Sequence, residues 1–252
     1  MKTITFIGNG NMAFSIAKGL KNKYKIEVVG RDLDKLAKFE DNLGVNIQKH
    51  LLHGFDATDK TILFCVKPAN VEEVSKAIKG SARVIFSVLA GTSVEKLRTN
   101  LKPQAVVRTM PNLAASVGKS MTTLTGDIEF KSEAEELLGS IGTTKWLASE
   151  KEIDIATALA GSGPAYLALI AESLTDGAVK QGLKRDDAMA IMRGLFGGFG
   201  ELIQDIHPAL LKDGVMSPGG TTAAGYSALE NGNVRNACMN AVEKAYKKAT
   251  EL

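Results

Sequence analysis

The chain is short of the residues that mark metal-dependent or disulfide-stapled proteins. It has two cysteines, Cys65 and Cys238, far apart and in no Cys-x-x-Cys pair. That leaves neither a disulfide framework nor a paired redox or zinc motif, and Cys65, inside an apolar run, reads as a buried structural thiol. The three histidines make no metal set: His50 and His53 are three residues apart, with no companion motif. Net charge is only +3, with Lys and Glu mixed along the chain, and no basic run or RNA-binding aromatic motif occurs. Nucleic acid is therefore not an expected partner. No apolar stretch reads as long and clean enough for the roughly 20 residues of a bilayer span. A strand pattern begins at once, where a signal peptide would stand. The expected compartment is reducing and cytoplasmic, with no membrane partner.

What is there is an ordinary globular composition, 44% hydrophobic and 23% charged. The first half alternates. Short apolar runs, KTITFIG (Lys2–Gly8), KIEVVG (Lys25–Gly30), KTILFCV (Lys60–Val66), ARVIFSVLA (Ala82–Ala90) and AVVRTMPN (Ala105–Asn112), are separated by helical patterns. That order predicts an α/β, doubly wound parallel sheet covered on both faces. KSMTTLT and TTKWLA are candidate extensions of it. Near Ser149 the pattern changes. Ser149 and Glu152 have the spacing of a capping box, and only helical patterns follow. The expected division is a dinucleotide-binding domain at 1–148 and an all-helical domain at 149–252. GLFGGFG places Gly194, Gly197, Gly198 and Gly200 inside a helical pattern. Each costs about 1 kcal/mol against alanine, so close helix approach is expected, at a subunit interface or within the chain.

Gly8-x-Gly10-x-x-Ala13 follows the first strand and opens a helix. Gly8 permits the tight turn, Gly10 lets the backbone approach a pyrophosphate at the helix N-terminus, and Ala13 is small enough for helix–strand packing. Asn9, Asn11 and Met12 complete the expected cradle. The second strand ends in Gly30, Arg31 and Asp32. A carboxylate there suits a ribose, whereas the Arg31 fork suits a 2′-phosphate, with Lys35 adding charge. Asp32 obscures the choice; Arg31 favours NADPH, with NADH as the alternative. Carboxyl ends of parallel strands face the ligand crevice. Val66, Lys67 and Pro68 after the third apolar strand, Ala90 and Gly91 after the fourth, and Asn112 after the fifth are therefore candidate cofactor contacts.

These residues resemble the pyrroline-5-carboxylate reductase family over essentially the whole chain. The resemblance rests on FIGNGNMA, VKP, MPN, GSGPAY (Gly161–Tyr166) and above all LKDGVMSPGGTTAAGYSALENG (Leu211–Gly232). It implies reduction of 1-pyrroline-5-carboxylate to L-proline, the last step of proline biosynthesis, by NADPH or NADH. It also implies a helical domain that dimerises, as a homodimer or a decameric ring of dimers. One departure is that Leu113-Ala114 stands where the family commonly has Thr-Pro.

The substrate so implied is a small cyclic imine carrying a carboxylate, and its protonated form is already a good electrophile, so no metal is required. In SPGGTT, Gly219 and Gly220 expose N–H groups, the helix starting near Thr221 directs its positive end at the loop, and Ser217 adds a hydroxyl. The resemblance implies that Thr222 hydrogen-bonds the ring nitrogen, and Thr222 is the catalytic candidate. Without the resemblance, Ser217 and Thr222 would read as helix caps. Asp205 matches an acidic position of the family or is a surface charge, and Tyr166 is a core or interface residue. Two rivals differ in class: a reductase of another imine or β-hydroxyacid, and a catalytically silent NADP-binding module. The first commonly uses a lysine in the region of ALAGSGPAYLALIAESL, which has none; the second need not keep SPGGTT.

Overall fold

A computed structural model describes residues 1–251. Eight strands form one sheet, in the order β3-β2-β1-β4-β5-β6-β7-β8. They are β1 (Thr3–Ile7), β2 (Lys25–Gly30), β3 (Gln48–Leu51), β4 (Thr61–Phe64), β5 (Val84–Ser87), β6 (Ala105–Met110), β7 (Ser120–Gly126) and β8 (Gly142–Trp146). Between them run α1 (Asn11–Leu20), α2 (Leu33–Leu43), α3 (Val71–Ala77), α4 (Val94–Leu101) and α5 (Lys131–Leu138). Six strands, β3 to β6 in sheet order, are parallel, as the alternation of elements predicts. Expectation and structure part at β7, which runs antiparallel to β6 and carries β8 with it. The segment 111–119 is too short for a parallel crossover, so the chain can only return beside β6 in the opposite sense.

Successive residues of the inner strands feed opposite cores. Phe6, Val28, Leu63 and Phe86 face one, and Ile7, Val29, Phe64 and Ile85 the other. α1 closes the first core with Ala13, Ile16, Ala17 and Leu20, one stripe at helical spacing.

After the sheet come α6 (Glu150–Ala156), α7 (Gly163–Lys180), α8 (Arg185–Asp205), α9 (Pro208–Val215), α10 (Thr221–Asn231) and α11 (Val234–Ala249). The Ser149 cap forms: its Oγ accepts from Glu152 N, and the Glu152 carboxylate accepts from Ala148 N. A π-turn at Thr157–Gly161 joins α6 to α7. Glu150–Lys180 is thus one helix of 31 residues that contains an 18-residue window of mean hydropathy 1.4, long and apolar enough to cross a bilayer. This corrects the expectation that no such stretch exists: Gly161–Pro164 reads as a break, whereas the π-turn carries the helix through it.

By contact the chain divides into two units, Met1–Pro164 with Lys244–Leu252, and Ala165–Glu243. The second has almost no core of its own. Among its residues only Thr175 and Ala188 are buried, while Leu167, Leu169, Ile191, Leu195 and Phe199 are exposed. The helix glycines Gly194, Gly197, Gly198 and Gly200 have open space where a side chain would stand. Close packing within the chain is therefore not what they serve.

Candidate active site

The first unit holds a crevice of about 400 Å³ at the carboxyl ends of β1, β2 and β4, where the strand order reverses. Gly8, Asn9, Gly10, Arg31, Val66 and Lys67 meet there. Gly8 must be glycine: its φ is 104°, and a Cβ would lie 2.6 Å from the carbonyl oxygen of Cys65. Gly10 is the N-cap of α1 and offers no side chain to the first-turn N–H groups, which therefore remain open to an anion. Ala13 is fully buried, as a close helix–strand contact requires. These features fit a dinucleotide pyrophosphate.

Asp32 accepts from the amides of Asp34 and Lys35 through Oδ1, so it caps α2. Its ambiguity in the sequence resolves toward a structural role, and Arg31 and Lys67 are the charged groups lining the crevice. Gly30 is small for packing, since a Cβ there would lie 3.0 Å from Leu36 Cδ2. Cys65 is half-buried at the crevice wall rather than deep in the core, and desolvation pushes its thiol pKa up, away from the reactive range. Leu52 and Asn70 also line the crevice. Sequence reading missed them because neither belongs to a motif.

The other cofactor candidates are not among the residues that line this crevice. Asn11 lines a neighbouring cavity with Asn9 and Gly10, and Met12 packs on the core. Pro68 starts a short turn at Pro68–Asn70. Ala90 and Gly91 follow β5, half-buried. Asn112 follows β6 and is already engaged: Oδ1 accepts from Ala114 N at 3.1 Å, and Nδ2 donates to Ala160 O at 3.1 Å. Pro164, four residues after Ala160, has no N–H to give that carbonyl, and Asn112 supplies one instead. The Leu113-Ala114 departure has a physical consequence here, because a proline at 114 would lack the N–H that Asn112 Oδ1 accepts.

In the second unit, Ser217–Thr222 forms a turn leading into α10. Gly220 N donates to Ser217 O at 3.0 Å. Gly219 has φ 70°, the left-handed region that favours glycine, and a Cβ on Gly220 would lie 2.4 Å from Ser217 Oγ. Gly220 caps α10 without a side-chain hydrogen bond. Ser217 and Thr222 are therefore not helix caps, and the positive end of α10 is exposed at a loop of small residues. Tyr226 and Glu230 of α10 bond Arg235 of α11, and the Lys212 ammonium of α9 lies 5.1 Å from the Tyr226 ring centre. Hydrogen bonds from Arg235, then Tyr226, hold the Glu230 carboxyl below the usual carboxylate range. This cluster fixes the helix that bears Thr222 and has no signature in the sequence. Asp205 is exposed at the end of α8, and Tyr166 Oη donates to Ala241 O at 3.4 Å, a packing role.

A further cavity of about 590 Å³ lies away from the glycine turn, around Glu27, His50 and Lys60. Glu27 there accepts from Thr5 and Lys60, so its charge is satisfied within the fold.

A pyrroline-5-carboxylate reductase of Pisum sativum is 36% identical over 264 residues, covering 99% of this chain and 96% of that one. The chain belongs to the pyrroline-5-carboxylate reductase family. A second pyrroline-5-carboxylate reductase, from Thermus thermophilus, is 34% identical, covering 99% of this chain and 98% of the relative. The family described as pyrroline-5-carboxylate reductase dimerisation matches residues 150–252, and one described as NADP oxidoreductase coenzyme F420-dependent matches 3–91. Among solved structures, 1-pyrroline-5-carboxylate reductase from Streptococcus pyogenes superposes with TM-score 0.87 at 31% identity, covering 99% and 98% of the two chains. The Plasmodium falciparum pyrroline carboxylate reductase with NADP bound gives 0.83 at 27%, covering 100% and 99%. A reductive aminase from Aspergillus terreus, at 19% identity and TM-score 0.56, shares the fold alone.

Proposed function

We propose how the residues of this chain divide the work of the family's reaction. The enzyme reduces 1-pyrroline-5-carboxylate to L-proline, the last step of proline biosynthesis. NADPH, when bound, supplies the hydride for the imine carbon. The Gly8–Met12 turn and the first amides of α1 hold the pyrophosphate, and Arg31 takes the 2′-phosphate. Val66, Lys67 and Pro68 border the cofactor, with Ala90, Gly91 and Asn112 toward the nicotinamide end; NADH is the weaker alternative. Ser217, Gly219, Gly220 and Thr221 receive the substrate carboxylate, and Thr222 hydrogen-bonds the ring nitrogen.

The observation that carries the substrate assignment is the N-terminus of α10, which has no side-chain cap and opens onto Gly219 and Gly220. An anion with a hydrogen-bonding group a few ångströms away matches such a site, and a five-membered ring imine with a carboxylate beside its nitrogen has that shape. Purified enzyme is expected to oxidise NADPH when given pyrroline-5-carboxylate, followed by nicotinamide absorbance. Folded enzyme that binds NADPH yet turns over no pyrroline-5-carboxylate would overturn this assignment in favour of another imine or a silent binding module.

We assign the exposed apolar helix faces to a second copy of the chain, not to lipid. The near-absence of a core in 165–243 and the dimerisation match over 150–252 support this reading. The functional boundary then stays at 148/149, after the last strand. A homodimer is the minimal unit, alone or built into a decameric ring. Sedimentation at micromolar concentration is expected to show a dimer or decamer, and a stable monomer would contradict the assignment. The free thiols Cys65 and Cys238 support a reducing, cytoplasmic compartment.

A further inference from the structure

Arg31 is not free at the edge of the crevice. Its Nη1 lies 3.2 Å from Glu73 Oε1 and 3.5 Å from Oε2. Both side chains are exposed, at 64% and 56%. Glu73 sits in the first turn of α3, and its neighbour Val74 lines the same crevice as Arg31. Lys67 lines the crevice on its other side, and the charges next to Arg31 in sequence are engaged with each other. Asp32 caps α2, and Lys35 Nζ is 3.9 Å from Asp32 Oδ2. The guanidinium expected to receive the 2′-phosphate therefore already has one acidic partner, from a different element.

We propose that Glu73 is a selectivity residue that sets the preference between NADPH and NADH; the inference rests on the reading of Arg31 as the 2′-phosphate ligand. A ribose 2′-phosphate carries close to two negative charges. To bind it, Arg31 must release Glu73 in part, and the phosphate must then lie near the Glu73 carboxylate. NADH has a hydroxyl at that position and leaves the pair intact. Glu73 thus penalises NADPH and not NADH, and the penalty is electrostatic, so salt screens it. The effect of an exposed pair is small, a few-fold in affinity.

The test is a cycle of Glu73→Gln, Arg31→Ala and the double variant, each assayed for kcat and KM with both dinucleotides. Glu73→Gln is expected to raise the NADPH/NADH ratio of kcat/KM about threefold. The gain should appear in KM for NADPH and shrink at high salt. Arg31→Ala is expected to lower the ratio by about tenfold or more. Most of the Glu73→Gln gain should vanish in the Arg31→Ala background. An unchanged ratio in Arg31→Ala would overturn the phosphate-ligand reading and this inference with it. A lowered ratio in Arg31→Ala with no rise in Glu73→Gln would overturn the role of Glu73 alone.

Discussion

Replacing Thr222 by alanine is expected to lower kcat by about two orders of magnitude, while NADPH still binds. Among the described residues the Thr222 hydroxyl makes no hydrogen bond, so its removal leaves no donor or acceptor of the fold stranded. The residue stands in the first turn of α10, beside the amides assigned to the substrate carboxylate. A hydroxyl can accept from a protonated imine or donate to the ring nitrogen. It is a weak acid at neutral pH, so orientation and polarisation are its main contributions. A positioned hydrogen bond of this kind is worth roughly 3 kcal/mol in the transition state, which corresponds to a factor of about 10² in rate. Thr222→Ser should retain most of the activity because it keeps the oxygen. Equal kcat in Thr222→Ala and wild type would remove Thr222 from the mechanism without touching the identity of the reaction.

The largest loss of stability is expected from Arg108→Ala. Arg108 lies on β6 and is 3% exposed; its Nη1 is 3.0 Å from Glu150 Oε1, and its Nη2 is 2.6 Å from Asp154 Oδ1. Both carboxylates belong to α6. Glu150 Oε1 also accepts from Val94 N at 2.8 Å, at the start of α4. Removing the guanidinium leaves Asp154, 16% exposed, as an unpaired and mostly buried charge. Glu150, 39% exposed, keeps water and the Val94 amide. Breaking a buried pair costs about 3–5 kcal/mol, and the solvent left to Glu150 places this case near 3. A chain of this size should then melt roughly 6–12 °C lower. Arg108→Met with Asp154→Leu should recover much of the loss, because replacing both partners leaves no orphan charge. Thermal melts of the three proteins test this, and an Arg108→Ala melting point indistinguishable from wild type would show that the network contributes nothing.

Much of the nucleotide-binding half was legible because its signals are local. An apolar run, a glycine turn and a helical stripe occupy adjacent residues, and β1, β2, β4, β5 and β6 all carry them. β3 was not legible: Gln48–Leu51 is a polar edge strand, exposed on most of its length, with no apolar alternation to reveal it. The direction of β7 depends on the length of the preceding segment rather than on its own composition. The passage of the helix through Gly161–Pro164 depends on a π-turn, which glycine and proline conceal. At the site, the need for glycine at 8 and 220 could be anticipated from motif logic. What could not be read were pairings across long sequence separations: Arg31 with Glu73, Arg108 with Glu150 and Asp154, Asn112 with Ala160. Charge and amide side chains are common, and nothing in their own neighbourhoods names the partner. The role of Asp32 was local but ambiguous, since one carboxylate type serves both a ribose and a helix cap.

The placement of the Arg108 carboxylates bears on how halves of related enzymes can be recombined. A chimera joined between residues 148 and 149 takes Arg108 from one parent and Glu150 and Asp154 from the other. A second parent that lacks both acids would leave an unmatched cation on β6. The same graft would part Asn112 from the carbonyl of Ala160. A junction after Pro164 transfers both pairings intact with the sheet that needs them, so the segment from 149 to 164 should be inherited with the nucleotide-binding half even though the last strand ends before it.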